Sequence, residues 1–476
     1  MACARGHGGL VRRQLREEGR CMIPGSDADK AASKDAANAA KAKALDILEI
    51  CSVGLQDDPY NAALHRNKAW ALYTFGFHSG APQACEQAVC SYTRTIELDP
   101  KDPGPYLDRG TVRLHLGQRE AALADFEEAA RLGPRLLDAH VWRASALNSL
   151  GRHEDALAVI DDTLRAYGDS PGLHYNRGYA LTGLGRHGEA VDSLSRATEL
   201  NQDDPFNWHM LAAVLHGLCR YGEALDAAGR ALSLAPNNAG ILFLMGDTLN
   251  RLGRHDEGLK SLEQSLAHAP DNPDARAALG QSLALHGRHA ESLSLFDDLA
   301  SRHPDNASFH LCRAWPLQSL GRHAEALSAC QRAIGIDPTG REALRMEGML
   351  LNNVGRHDEA LVLLDRAIRA ASGDAELHVA RAHSLFRLGR HAESAAASQQ
   401  AMGLDPKNAH AHNSLGGALL ALGDSAGALE SFERSLLLDP DFARSHLGKG
   451  LALRALGLHG AARVAFGRAT GLDPSL

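Results

Sequence analysis

Small and apolar residues return along this chain in a fixed order every 34 positions, around the phrase Leu150 to Leu157 (LGRHEDAL). The phrase recurs at Leu184 to Val191, Leu252 to Leu259, Leu320 to Leu327, Val354 to Leu361 and Leu388 to Ala395, with a close variant at His286 to Leu293. Looser copies occupy Leu116 to Leu123, Leu218 to Leu225, Leu422 to Leu429 and Leu456 to Arg463. Eleven repeats therefore run from residue 103 to 476 without an insertion or deletion, which is the signature of a repeat array.

Positions 1 to 34 of each repeat are counted from Pro103, Leu137, Pro171, Pro205, Ala239, Pro273, Ala307, Arg341, Ala375, Ala409 and Ala443. Leu fills position 11 in ten repeats and position 14 in nine, so 7 or 8, 11 and 14 trace one stripe of a first helix. Position 8 is always Gly or Ala and position 20 is Ala, Gly or Ser, so two helices can cross closely there. Gly at position 15 predicts a left-handed C-terminal stop. A second helix is expected over positions 18 to 30, ended before the proline that occupies position 32 in eight repeats. Each repeat is thus an antiparallel helical hairpin too small to bury its own apolar faces, and stacking is obligatory.

Ahead of the array, residues 1–25 are rich in Gly and Arg without a period and read as a disordered segment, with Met22 as an alternative start. Residues 26–61 predict a capping helix, opened by Ser26 and Asp27 and apolar from Ala44 to Leu55. Residues 62–102 form an atypical first repeat in which Phe77 to Gln83 adds seven residues between the helices. Gly80 and Pro82 mark a loop and a helix start there, a bulge or a partner contact.

A repeat of this length and plan, with small residues at 8 and 20, an apolar or aromatic residue at 24, Ala at 27 and Pro at 32, closely resembles the tetratricopeptide repeat family. The residues carrying the resemblance include Tyr106, Gly110, Ala122, Phe126, Ala129 and Pro134 in one repeat, and Trp208, Ala212, Leu215, Ala224, Ala231 and Pro236 in another. The resemblance spans residues 62–476. It implies an all-α, right-handed superhelical solenoid of antiparallel helix pairs whose concave groove, lined by first-helix side chains, binds peptides or partner proteins. Two specialised variants are not matched. No adjacent repeats carry the Lys, Asn and Arg set that clamps a terminal carboxylate, and position 6 lacks the recurring Asn of the sugar-transferase arrays.

Composition narrows the function further. The formal charge of −8 gives no global signal for nucleic acid or anionic membrane, and no apolar run approaches the roughly 18 residues of a membrane span. Eight cysteines without a paired framework or a Cys-x-x-Cys suit reduced thiols and a cytoplasmic setting. There is no nucleophile elbow, phosphate-cradling loop or His-Glu-x-x-His, and residues 1–61 are too few for an ordinary catalytic domain, so no enzyme activity and no cofactor are expected.

Histidine is abundant, with eight copies at position 17 and six at position 4. Copies one repeat apart are separated by two helix layers of about 8–10 Å each, too far to share a metal. They read as fillers of the family's aromatic slot, with His410 and His412 as an isolated surface pair. Arg or Lys at position 7, in Arg109, Arg143, Arg177, Arg313, Arg381 and Lys449, reads as a packed stem with its charge at the rim.

Positions 2, 5, 9, 12 and 13 share the remaining first-helix face, which is the candidate groove. It carries Asn148, Tyr175, Tyr179, Thr182, Phe206, His209, His216, Phe243, Asp247 and Asn250, then turns basic with Arg345, Asn352, Arg387, Arg444 and Arg454. The aromatic part suits an extended or helical peptide and the basic part an acidic segment. Function is accordingly read as a non-catalytic scaffold for peptide segments or partner proteins, with a substrate-recruiting adaptor or accessory subunit of a separate enzyme, such as a sugar transferase, as the alternative. Two local features complete the expectations. Pro316 should kink or shorten its helix. The end face bearing Val464, Ala465 and Phe466 should give weak end-to-end self-association.

Overall fold

The computed structural model describes residues 27–370 and 373–475, with side chains from residue 36 onward. The expectations for residues 1–25 and for Ser26 lie outside the described residues. Every regular element among the described residues is an α-helix. Contacts divide the chain into two compact units, Met1–Ala275 and Arg276–Leu476.

From residue 103 on, and outside the Ala307 repeat, the first helix covers positions 1 to 13, as in Pro171–Gly183, and the second runs from 17 to 30 or 31, as in His187–Leu200 and His153–Tyr167. Helices this short are marginal alone in water, so their ends are fixed locally. Asp102, Asp204, Asn238, Asn306, Asp374 and Asn408 cap first helices by accepting a backbone N–H, for example Gly240 N to Asn238 Oδ1 at 2.9 Å. The first helices end at a left-handed residue, Gly in ten repeats. In the Pro205 repeat Cys219 takes that conformation instead, with φ 59°.

Packing follows the small positions. A Cβ on Gly110 would come within 2.6 Å of the Phe126 ring, and one on Gly280 within 2.8 Å of Phe296. Position 8 is therefore where the ring or branched side chain at position 24 enters its own hairpin. Phe126 also stacks on Trp142 of the next repeat, 6.0 Å between centroids. Ala122 and Ala129 flank it, fully buried.

The basic residue at position 7 is more than a stem with a charge at the rim. In most repeats that carry it, it reaches back sixteen residues to the second helix of the preceding repeat, whereas Arg109 pairs with Asp125 of its own hairpin at 2.6 Å. Arg177 Nε to Asp161 Oδ1 is 3.0 Å, Arg313 to Asp297 2.7 Å, Arg381 to Asp365 2.7 Å, and Lys449 to Glu433 2.9 Å. At Glu347 the polarity is inverted, with Gln331 Nε2 donating to Glu347 Oε1 at 3.0 Å. Burial holds Glu347 above the ordinary carboxylate range, and the Gln331 hydrogen bond offsets part of this.

Gly80 opens the loop and Pro82 starts the second helix of the first repeat, as expected, but most of the added residues are helical. Helices Ala62–Ser79 and Pro82–Leu98 are both longer than their later counterparts, and only Gly80 and Ala81 separate them. Residues added at a hairpin tip can stay helical because they extend existing hydrogen-bond ladders. The repeat ties to the array through Arg66, whose Nη2 donates to Asp108 Oδ2 at 2.6 Å. The predicted capping helix spans Asp27–Asp57, with Ala44 and Cys51 buried. Pro316 splits its helix into Ala307–Cys312 and Ala314–Ser319, as expected from the lost donor. Of the end-face residues, Val464 is exposed but Ala465 is buried.

Two stability tests follow from this packing. Gly110→Val should lower stability by about 1–3 kcal/mol through overpacking against Phe126; an unchanged melting temperature would show that the close helix approach is not needed. Glu347→Gln should raise the urea midpoint near pH 7. A carboxyl whose folded pKa is raised destabilises the fold above that pKa, so the advantage of the variant should shrink as pH falls through it. A pH-independent difference would argue that the charge is not involved.

Candidate functional site

The recurring phrase shows its purpose at the hairpin turn. Leu at 14 and Gly at 15 close the first helix, and Arg at 16 forms an ion pair with the acid at 19. Arg186 to Glu189, Arg220 to Glu223, Arg254 to Glu257 and Arg288 to Glu291 are each 2.7 Å. The Arg186 guanidinium holds the Glu189 carboxyl below its usual range. Both partners are about half exposed, so solvent screens these pairs and they add little to stability.

The histidines at position 4 mostly contact a backbone carbonyl, and two of those at position 17 contact an asparagine side chain. At position 4, the Nε2 of His140, His310, His412 and His446 lies 2.9, 2.9, 3.2 and 2.8 Å from the carbonyl of the preceding Pro134, Pro304, Pro406 and Pro440. Trp208 donates to Gln202 O in the same way, at 2.9 Å, and Tyr106 to Pro100 O at 3.4 Å, so these residue types share one slot. His410 and His412 are no isolated surface pair: His412 is buried in this slot and His410 lies against the Phe442 ring. At position 17, His153 Nδ1 lies 3.2 Å from Asn148 Oδ1, and His357 Nδ1 3.0 Å from Asn352 Oδ1. No group of three metal-binding side chains comes together among the described residues.

Those two asparagines correct the expected groove. Asn148 and Asn352 are buried, and their amides reach forward into the next repeat, Asn148 Nδ2 to Asn176 O at 2.9 Å and Asn352 Nδ2 to Ala380 O at 3.3 Å. Position 12 therefore faces the neighbouring repeat. One hundred degrees of helical twist separates it from position 13, enough to move it from surface to interface. Thr182, also at position 12, is half-buried and bonded to Gly178 O at 2.8 Å, and Asn250 is half-buried.

Positions 5, 9 and 13 remain on the accessible face. In the first compact unit Tyr179 is 41% exposed and its ring centroid lies 6.2 Å from that of His153. Tyr175 sits beneath it, half-buried. Desolvation raises its phenol above the ordinary range, with Tyr179 and Asp204 pushing the same way. His209 is half-buried, and desolvation pushes its imidazole down. Phe243 is half-buried, and Asp247 Oδ2 lies 3.0 Å from His216 Nε2. His216 Nδ1 in turn lies 2.9 Å from Thr248 Oγ1, so the imidazole bridges two sequential groups of the next helix. In the second unit Trp315 and Met349 are exposed at position 9, residues absent from the predicted set although their register placed them there. Arg345 is drawn back to Glu342, 2.8 Å away, while Arg387 is exposed.

Comparison with known proteins agrees with this geometry. Tetratricopeptide repeat profiles match residues 107–171, 209–273, 243–307, 291–341, 379–436 and 414–476, with related profiles of the same repeat at 317–383 and 171–204. The chain belongs to the tetratricopeptide repeat family. A curated relative, the tetratricopeptide repeat and J domain-containing co-chaperone DNJ1 of Cryptococcus neoformans var. grubii, is 42% identical over 53 residues, which are 11% of this chain and 10% of that protein. The tetratricopeptide repeat chain thus spans about a tenth of that relative's length. Among solved structures, it is similar to one in the APC/C hetero-tetramer Cut9-Hcn1, at 19% identity over 86% of this chain and 87% of that chain, with a TM-score of 0.48. It is also similar to yeast Tom70, at 18% identity over 86% and 98%, with a TM-score of 0.43.

The burial pattern separates two roles by mutation. Asn148→Ala should cost about 1–3 kcal/mol, because it removes the buried amide's hydrogen bond to Asn176 O and takes the Asn148 Oδ1 partner from His153 Nδ1. Tyr179→Ala, on the open face, should stay within about 0.5 kcal/mol. Equal losses in thermal melts would place both residues in the stack.

Proposed function

We propose that this tetratricopeptide repeat protein is a non-catalytic scaffold that holds peptide segments or partner proteins on its first-helix faces. The observation that carries this reading is the division of labour within each first helix. Positions 8, 11 and 12 are consumed by stacking, while 5, 9 and 13 present Tyr175, Tyr179, Phe243, Trp315, Met349 and Arg387 to the outside. Half-buried aromatic rings flanked by polar groups give a partner rigid apolar contacts at low entropic cost. Side chains exposed every 34 residues also suit a partner that runs across several repeats.

The two compact units offer different chemistry, aromatic in the first and cationic toward the end of the second. The scaffold would therefore read its partners by more than hydrophobicity. An adaptor recruiting substrates to a separate enzyme uses the same faces, and the two roles differ only in what the partner is. The cytoplasm fits the free cysteines at 51, 85, 90, 219, 312 and 330 and is part of this proposal.

The test compares the intact chain with Tyr175→Ala, Tyr179→Ala and Phe243→Ala combined, in affinity capture from source lysate followed by binding measurements on each purified candidate. The expected outcome is at least about a tenfold loss of affinity for a direct partner, with helical circular dichroism unchanged. Unaltered affinity for every direct partner would move recognition away from these faces.

A further inference from the structure

Helices Ala375–Arg387, Ala409–Ala421 and Ala443–Ala455 follow one another in the second compact unit, and their accessible faces hold an unusual set of charges. Positions 2, 5, 9 and 13 supply Arg387, Arg444, His383 and His410, and Arg454 joins them as an exposed residue at position 12, against one carboxylate, Glu376. Glu376 is occupied, accepting from Asn408 Nδ2 at 2.7 Å. The whole chain carries a formal charge of −8, so this local excess runs against its average.

Most arginines nearby are neutralised. Arg381 is paired to Asp365, Arg356 to Glu359, Arg390 to Glu393 and Arg345 to Glu342. Arg387 and Arg444 are exposed, and no carboxylate among the described residues lies within ion-pair distance of either. Asp473, bonded to Ser475, is the acid that feels Arg444 from farther away. Arg454 leans over the Phe466 ring, 5.8 Å from its centroid.

The helix between them leaves room. Position 9 of the Ala409 repeat is Gly417, where the repeats before and after carry His383 and Leu451. A Cβ at Gly417 would meet only the edge of Phe386, at 3.8 Å, so a notch with an aromatic wall opens on the helix that lies in sequence between those carrying His383 and Arg444. The groups around it feel one another. Desolvation first, then the charges of His357, Arg387 and Arg444, push His383 below the ordinary imidazole range, and no acid offsets them.

We propose that the notch at Gly417, walled by Phe386 and flanked by His383, Arg387 and Arg444, docks an acidic peptide segment of a partner protein, its Asp or Glu carboxylates lying against the two arginines. This rests on the scaffold reading and names the chemistry of one of its occupants. Exposed guanidiniums without partners keep their bidentate donors available for carboxylates. The patch is short and set in an acidic chain, which suits a discrete segment better than the long regular charge of a nucleic acid, whose binding scales with many phosphate contacts. The Phe386 wall would take an apolar side chain between the carboxylates.

The experiment uses the full chain and a short fluorescent peptide rich in Glu with a single Leu, read by anisotropy at low salt. Controls are the same peptide with Gln for Glu and a single-stranded oligodeoxynucleotide of equal charge. The expected result is saturable binding of the Glu peptide, at least about tenfold weaker in Arg387→Glu/Arg444→Glu and in Gly417→Leu, which fills the notch without changing charge. Helical circular dichroism should be unchanged in both variants, with melting unchanged for the two exposed arginines and at or slightly above wild type for Gly417→Leu, which replaces a half-buried glycine inside a helix. Equal binding of the Glu and Gln peptides, or wild-type affinity in both variants, would overturn the proposal. Equal binding of the oligonucleotide would overturn the assignment to a peptide. The Tyr175/Tyr179/Phe243 variant should bind the Glu peptide normally; if the partners it loses are kept by the arginine variant while Glu-peptide binding fails altogether, the scaffold reading stands and this site does not.

Discussion

A hairpin of two helices of thirteen or fourteen residues cannot bury enough apolar surface to be stable alone, and every other feature of this protein answers that constraint. The answer is contact between neighbours. Glycine or alanine at position 8 admits a bulky residue from position 24, seen in Gly110 with Phe126 and Gly280 with Phe296. The next repeat then closes over the same residue, as Trp142 does over Phe126. Stability is consequently spread along the chain as a series of similar joints, each made from a few Leu, Ala and Phe side chains.

Polar groups reinforce these joints where the apolar surface ends. The pair between positions 7 and 25, the position 4 donors to proline carbonyls, and the Asn–His bridge from position 12 each satisfy groups that stacking would otherwise bury unpaired. Glu347 is the exception, with Gln331 in place of a cation, and its raised pKa is the consequence. Such a network leaves little freedom at the interface.

The faces that no neighbour covers differ in ways that matter for recognition. Tyr175, Tyr179 and Phe243 give the first unit an aromatic surface, while Arg387 and Arg444 give the second an unneutralised positive one around the Gly417 notch. Conserving one frame while changing a single exposed register is how a repeat can acquire partners without losing its fold.

The sequence by itself determined the helix boundaries, the turn glycines, the break before Pro316 and the family, because these depend on local rules that repeat eleven times in one register. It also pointed to histidine at position 4 as a filler of the aromatic slot, which Trp208 and Tyr106 share. Only the tertiary structure decided the rest. Asn148 and Asn352 look exposed by helical periodicity, but periodicity places a residue relative to its own axis and is silent on what the next helix covers. The same limit hid the Arg177–Asp161 type of pair, which joins different repeats, and the helical extension of most of residues 77–83 around the short loop that Gly80 marks. Which surface stays open is a property of the stack, set by how closely neighbours approach and where their side chains end.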